Sequence, residues 1–163
     1  MMAQRRVVRI FVSYAHSNTR DVGELLGLLQ PRVGLSSRVD VRWWADSDLH
    51  LGEEWFNSIE DRIETCDFGL QMISPEFFVS NFIRTHEIPP FVGDDAKPTL
   101  PVGLYRVPLH AGADLAGFGS LQFFKPDDRW FGELTNRRQK VSFADELARK
   151  VLEAIDRPSV SLW

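Results

Sequence analysis

The sequence predicts a three-layer α/β fold, a central parallel five-stranded sheet with helices on both faces. Two patterns carry that expectation. Short apolar, β-branched runs alternate with segments whose apolar residues recur every three or four positions. The runs at residues 7–13 and 68–73 are nearly continuous in apolar character, as expected of strands covered on both sides. With 163 residues the chain suits one domain with a real core, assigned to residues 1–157. Residues 158–163 read as a tail or the start of a linker to a further domain.

The elements follow in order. Residues 7–13 form the first strand. Ser17 or Asn18 then caps a helix in which Val22, Leu25, Leu26 and Leu29 recur up to Pro31. Val39, Val41 and Trp43 alternate in a second strand. A polar loop over 45–53 closes at Gly52, a backbone device for a positive φ or a close approach. The next helix carries Trp55, Ile59 and Ile63 on one stripe, and residues 68–73 form the third strand. Ser74-Pro75 opens a helix that runs to the double proline Pro89-Pro90. Residues 99–105 make a fourth strand, residues 106–119 are irregular, and residues 121–124 make a short fifth strand. Ser142 and Asp145 resemble a capping box for a last helix lined by Phe143, Leu147, Val151 and Ile155. The strand–helix alternation is flavodoxin-like, and such sheets bind ligands outside the carboxyl ends of their strands.

Much chemistry is excluded. Net charge is −4, so no global basic field favours nucleic acid or an anionic membrane. Arg137, Arg138 and Lys140 form the densest basic group and are assigned to a solvated loop. Cys66 is the single cysteine, which rules out an internal disulfide and a cysteine-rich zinc site. It is assigned to a buried position rather than to nucleophilic chemistry. The four histidines are dispersed, so no metal is expected. There is no phosphate-binding glycine loop, no Gly-x-Ser-x-Gly elbow, and no carboxylate cluster after the first strand of the kind a phospho-receiver needs. No apolar run approaches membrane-spanning length, and residues 1–6 lead directly into a strand, so a cytoplasmic protein without a membrane partner is expected.

Glu87 breaks a local rule. It sits in the last helical turn before Pro89, where a carboxylate meets the negative end of the helix dipole at a cost of roughly 0.3–1 kcal/mol. On a continuous helix Ser80 stands two turns away on the same face, with Ile83 and Arg84 between. Local rules are broken in this way at working sites. For a lone Glu the alternative is a solvated surface residue.

Four segments together resemble the Toll/interleukin-1 receptor (TIR) domain, in particular its bacterial NAD-cleaving branch. Phe11-Val12-Ser13-Tyr14-Ala15-His16 is similar to the family's first strand and following loop. Trp44-Ala45-Asp46, then Leu49, Gly52 and Trp55, is similar to its long connecting loop and next helix. Residues 68–75 are similar to its third strand and Ser-Pro helix entry, and Ser80 to Glu87 to the segment bearing the catalytic Glu. The match in order and spacing extends from about Val7 to Pro90. Two positions depart from the pattern: Asn18 stands where an acidic residue is frequent, and Ile83 where a Trp is common.

The resemblance implies an NAD glycohydrolase, with NAD as substrate and no cofactor. Its products would be nicotinamide and ADP-ribose or a cyclic ADP-ribose isomer. It also implies a role in bacterial immune or signalling responses, activation by homo-oligomeric assembly, and an appended sensor or effector domain. Glu87 is the implied catalytic residue. Ser13, Tyr14, Ala15, His16, Trp44, Asp46, Gly52, Ser80, Ile83 and Arg84 are the candidate substrate-binding residues. Cleaving a pyridinium from ribose needs one carboxylate to stabilise an oxocarbenium-like transition state, because the leaving group departs neutral without a proton. Tyr14, Trp44 and Ile83 are candidate walls for the ring, while Trp43, on the opposite side of the strand from Trp44, is assigned to the core. Free N–H groups near Ser17 and Asn18 are candidates for the pyrophosphate, with Arg84 or His16 assisting. Two rivals stand beside this reading: a non-enzymatic TIR–TIR interaction module, and a nucleoside deoxyribosyltransferase-like enzyme.

Overall fold

The computed structural model describes residues 4–45, 53–108, 112–118 and 123–156, with the side chains of 53–58 left aside. Four parallel strands lie in the order β2-β1-β3-β4: β1 Arg6–Ser13, β2 Val39–Ala45, β3 Phe68–Ile73 and β4 Thr99–Gly103. The helices are α1 Thr19–Gly34, α2 Glu53–Thr65, α3 Pro75–Val79 and α4 Arg137–Asp156. Of the expected fifth strand, Leu121 and Gln122 lie outside the described residues. Phe124 forms an isolated parallel bridge to Val102 at the β4 edge.

Strand alternation divides the interior into two cores. Val8, Ile10 and Val12 of β1 and Phe68, Leu70 and Met72 of β3 face α1 and α4. Phe11 and Ile73 face the other side, where Ile59, Ile63, Phe77, Phe78, Phe91 and Phe118 pack. Trp43 joins the first core and Trp44 the second, as their alternation requires. On the second face Gly69 lets the Phe91 ring lie against the sheet. A Cβ there would stand 2.5 Å from Phe91 Cε1 and 2.7 Å from Gln71 Nε2. Cys66 is buried, its thiol donates to the Ile63 carbonyl at 3.0 Å, and burial pushes its pKa up, as suits an inert packed thiol.

Three helix boundaries differ from the sequence expectation. Pro31 does not end α1, which continues to Gly34. The ring removes the donor to the Gly27 carbonyl, but Gly27 is solvent exposed, so water can serve that carbonyl. Second, α4 begins at Arg137, capped by Asn136, whose Oδ1 accepts from the Gln139 N–H at 2.8 Å. The Ser142 capping box is therefore interior to the helix. Arg137, Arg138 and Lys140 occupy the first turn rather than a loop, and Lys140 pairs with Glu24 of α1 at 2.5 Å. Third, the helix expected to run from Ser74 to Pro89 breaks at Ser80, whose ψ of 114° is extended.

Tyr105, just past β4, ties this edge to α1 by donating to Asp21 Oδ2 at 2.6 Å. The Asp21 carboxylate, aided by burial, pushes the Tyr105 phenol up from 10.0 to about 12. A pKa raised by folding means the protonated phenol is favoured in the native state. Its stabilisation is therefore complete below pH 10 and fades as pH rises to about 12. Urea unfolding of wild type and Tyr105→Phe across this range should show a stability gap that shrinks steadily above pH 10. A pH-independent gap would exclude the hydrogen bond as its source. Gly69→Ala should cost about 1–3 kcal/mol in the same assay, because the added Cβ would stand 2.5 Å from the buried Phe91 ring and 2.7 Å from Gln71 Nε2.

Candidate functional site

The strand order reverses direction between β1 and β3, which opens a crevice at their carboxyl ends. A cleft of about 360 Å³ lies there, lined by the loop after β1 and by the helical segments after β3. Two hydrogen bonds join its walls. Ser74 Oγ accepts from the Phe77 N–H at 3.0 Å, capping α3, and donates to Asn18 Oδ1 at 2.7 Å. Ser13, the last residue of β1, donates to Glu87 Oε1 at 2.5 Å. All four of these polar residues are buried, Glu87 to 1 % exposure.

Glu87 reaches this position through irregular helix. After the break, the Ser80 hydroxyl accepts from the Ile83 N–H at 3.3 Å and so starts a second helical segment. That segment closes as a π-helical turn, Ile83–Glu87, with the Ile88 N–H bonded to the Ile83 carbonyl at 2.9 Å. π turns of this kind occur often at functional sites. The expected Ser80–Glu87 alignment on one continuous helix is thus corrected. Ser80 is a cap that also lines the cleft, and the wider π turn carries Glu87 to Ser13.

The structure brings together Glu87, Tyr14, Ala15, His16, Ser80 and Ile83 around the cleft, with Ser13 bonded to Glu87 beneath. Tyr14 is 3 % exposed and packs chiefly into the α1–α4 core, while His16 is exposed. Arg84 does not line the cleft. Its guanidinium donates to the Phe78 carbonyl at 3.0 Å and to Asp114 Oδ2 at 2.5 Å. The Ala116 N–H and Arg84 hold the Asp114 carboxyl below the usual range. Trp44 packs against the second core with the Arg62 guanidinium 5.6 Å from its ring centroid, and is not among the cleft residues. Asp46 and Gly52 lie outside the described residues. The N–H groups proposed for pyrophosphate are partly spent, since Asn18 N–H donates to the Ala15 carbonyl at 2.9 Å and Thr19 N–H to that of His16.

Ser17, Glu76 and Phe82 also line the cleft. Only the Ser17 backbone was legible in the sequence. Phe82 had a signal: it stands four residues before His86, and the two rings lie 4.8 Å apart. Among the described residues no group of three His, Cys, Asp or Glu side chains is placed to hold a metal, and no helix is long and apolar enough to cross a membrane.

The Ser13–Glu87 bond should be detectable in stability. Ser13→Ala should lower unfolding free energy by about 1–3 kcal/mol, because it leaves a buried carboxylate short of a donor. In the Glu87→Gln background the same substitution should cost less. Equal costs in both backgrounds would show that the two side chains are not coupled.

A model of the TIR domain family matches residues 10–135 of the chain. No curated protein matches it.

Proposed function

The chain belongs to the TIR domain family, and from that premise we propose that it cleaves the N-glycosidic bond of NAD and releases nicotinamide, with Glu87 as the catalytic carboxylate. The observation that carries this reading is the buried Glu87 side chain lining a cleft at the β1/β3 crevice, held by Ser13 at 2.5 Å. A carboxylate fixed in a dry setting acts strongly on charge that develops beside it. As the bond from the anomeric carbon to the pyridinium nitrogen breaks, its electron pair leaves with neutral nicotinamide. Positive charge then gathers on the ribose, where Glu87 stabilises it and accepts from the sugar hydroxyls. Water adds to the anomeric carbon and loses a proton to give ADP-ribose, or an adenine nitrogen closes on it to give a cyclic isomer. Ile83 and Phe82 supply the apolar walls for the ring. Phe82, one position before Ile83, provides the aromatic that the family commonly carries at the Ile83 position.

In this reading Ser13 orients the carboxylate, while Ala15, His16 and Ser80 shape the cleft. Arg84 positions the Glu87 turn from behind through Phe78 and Asp114. Family membership supports assembly through TIR–TIR contacts, and a role in bacterial immune or signalling responses belongs to the same proposal.

Concentrated protein incubated with NAD should release nicotinamide, and Glu87→Ala and Glu87→Gln should each slow release by at least about 100-fold with circular dichroism unchanged. Release that survives in Glu87→Ala removes the catalytic assignment. No release at any concentration, including under crowding that drives assembly, leaves a TIR–TIR interaction module. Turnover of a deoxynucleoside with NAD untouched points instead to deoxyribosyl transfer.

A further inference from the structure

We propose that Asn18 is a positioning residue for the cleft: through Ser74 it fixes how far apart the two walls stand, and so sets the affinity for NAD. The inference rests on reading the cleft as a site of NAD cleavage, and it adds what holds that site to the width of its substrate. One wall is the loop after β1, residues Tyr14 to Ser17. The other carries Glu76, Ser80, Phe82 and Ile83 from the segments after β3. One hydrogen bond between them, Ser13 to Glu87, holds the carboxylate. The second runs from Ser74 Oγ to Asn18 Oδ1 at 2.7 Å and links residues 56 positions apart.

Asn18 stands at the head of α1, where a side chain of its type ordinarily caps the helix. It makes no capping bond there, and its oxygen is given to Ser74 instead. Asn18 is buried and is not among the cleft residues, so it acts on the site through the wall it holds. That wall is a bonded unit. The Asn18 N–H donates to the Ala15 carbonyl at 2.9 Å, and the Thr19 hydroxyl donates to that of His16 at 2.6 Å. Ser74 is fixed in turn, because the same Oγ accepts from the Phe77 N–H at 3.0 Å at the entry to α3. A buried hydrogen bond between two such turns meets no competition from water and holds their separation. Asn18 also stands where an acidic residue is frequent in the family. Both side-chain types offer the same accepting oxygen, and an acceptor is what Ser74 requires. Loss of the latch lets one wall recede and weakens contacts that ground state and transition state share, while Glu87 keeps its own bond to Ser13. The signature is a higher KM with kcat kept.

The test uses the whole chain, concentrated, with NAD as the probe. Kd is read by ligand-observed NMR in the Glu87→Gln background, where consumption of NAD is slowed. KM and kcat come from nicotinamide release with Glu87 present. Asn18→Leu keeps the shape of the side chain and removes the acceptor. It should raise Kd and KM about five- to ten-fold and leave kcat within about two-fold. Asn18→Asp restores the acceptor and should return both constants to within about two-fold of wild type. Ser74→Ala removes the donor from the other wall and should give at least the same shift, and combining it with Asn18→Leu should add little. Kd and KM unmoved by Asn18→Leu or by Ser74→Ala, a fall in kcat at constant KM, failure of Asn18→Asp to rescue, or no binding of NAD with Asn18 intact would overturn the inference. The two proposals fail separately. Asn18-dependent binding without nicotinamide release removes the cleavage reading and keeps the latch. Glu87-dependent release with Kd and KM indifferent to Asn18 does the reverse.

Discussion

A carboxylate at 1 % exposure has given up its water and must be met by donors the fold brings to it. For Glu87 Oε1 such a donor is Ser13, 74 positions earlier in the chain and at the far end of β1. That contact forms only if β1 and β3 pair in register, so that the Ser74 helix entry stands beside the loop after β1. It also requires the segment after β3 to break at Ser80 and widen into a π turn. Strand order, helix break and capping serines therefore converge on one buried hydrogen bond.

The second core makes that arrangement rigid. Phe77, Phe78 and Phe118 pack edge to face in this core, and the Phe91 ring lies so close to Gly69 that an added Cβ would collide with it. Arg84 clamps the outer side of the same turn to Phe78 and Asp114. The result is an acidic side chain held by the last residue of β1 and lining a cleft. Preorganisation of this kind is what electrostatic stabilisation of a developing cation demands.

Much of the fold was legible in residue order because burial writes itself into strands. The continuous apolar runs at Arg6–Ser13 and Phe68–Ile73 became the two central strands, and the Trp43–Trp44 alternation became two opposite faces. Helix ends were less legible. Pro31 reads as a stop, yet exposure of Gly27 lets α1 pass it, and Asn136 displaced the capping box that Ser142 suggested. Local signals name what a segment tolerates, while packing of α1 against α4 decided where the helices run.

The sequence by itself determined the layered α/β architecture, the family, and the singling out of Glu87, because apolar periodicity and ordered motifs survive in one dimension. Only tertiary structure decided how Glu87 is held, since a hydrogen bond across 74 positions leaves no local trace. It also decided that Arg84 turns outward, that Trp44 packs against the core under Arg62, and that Glu76 and Phe82 line the cleft. The placement of Arg84 and Glu87 depends on a break at Ser80 and a π turn whose extra residue rotates the side chains beyond it, and helical spacing cannot register such a change before the chain is folded.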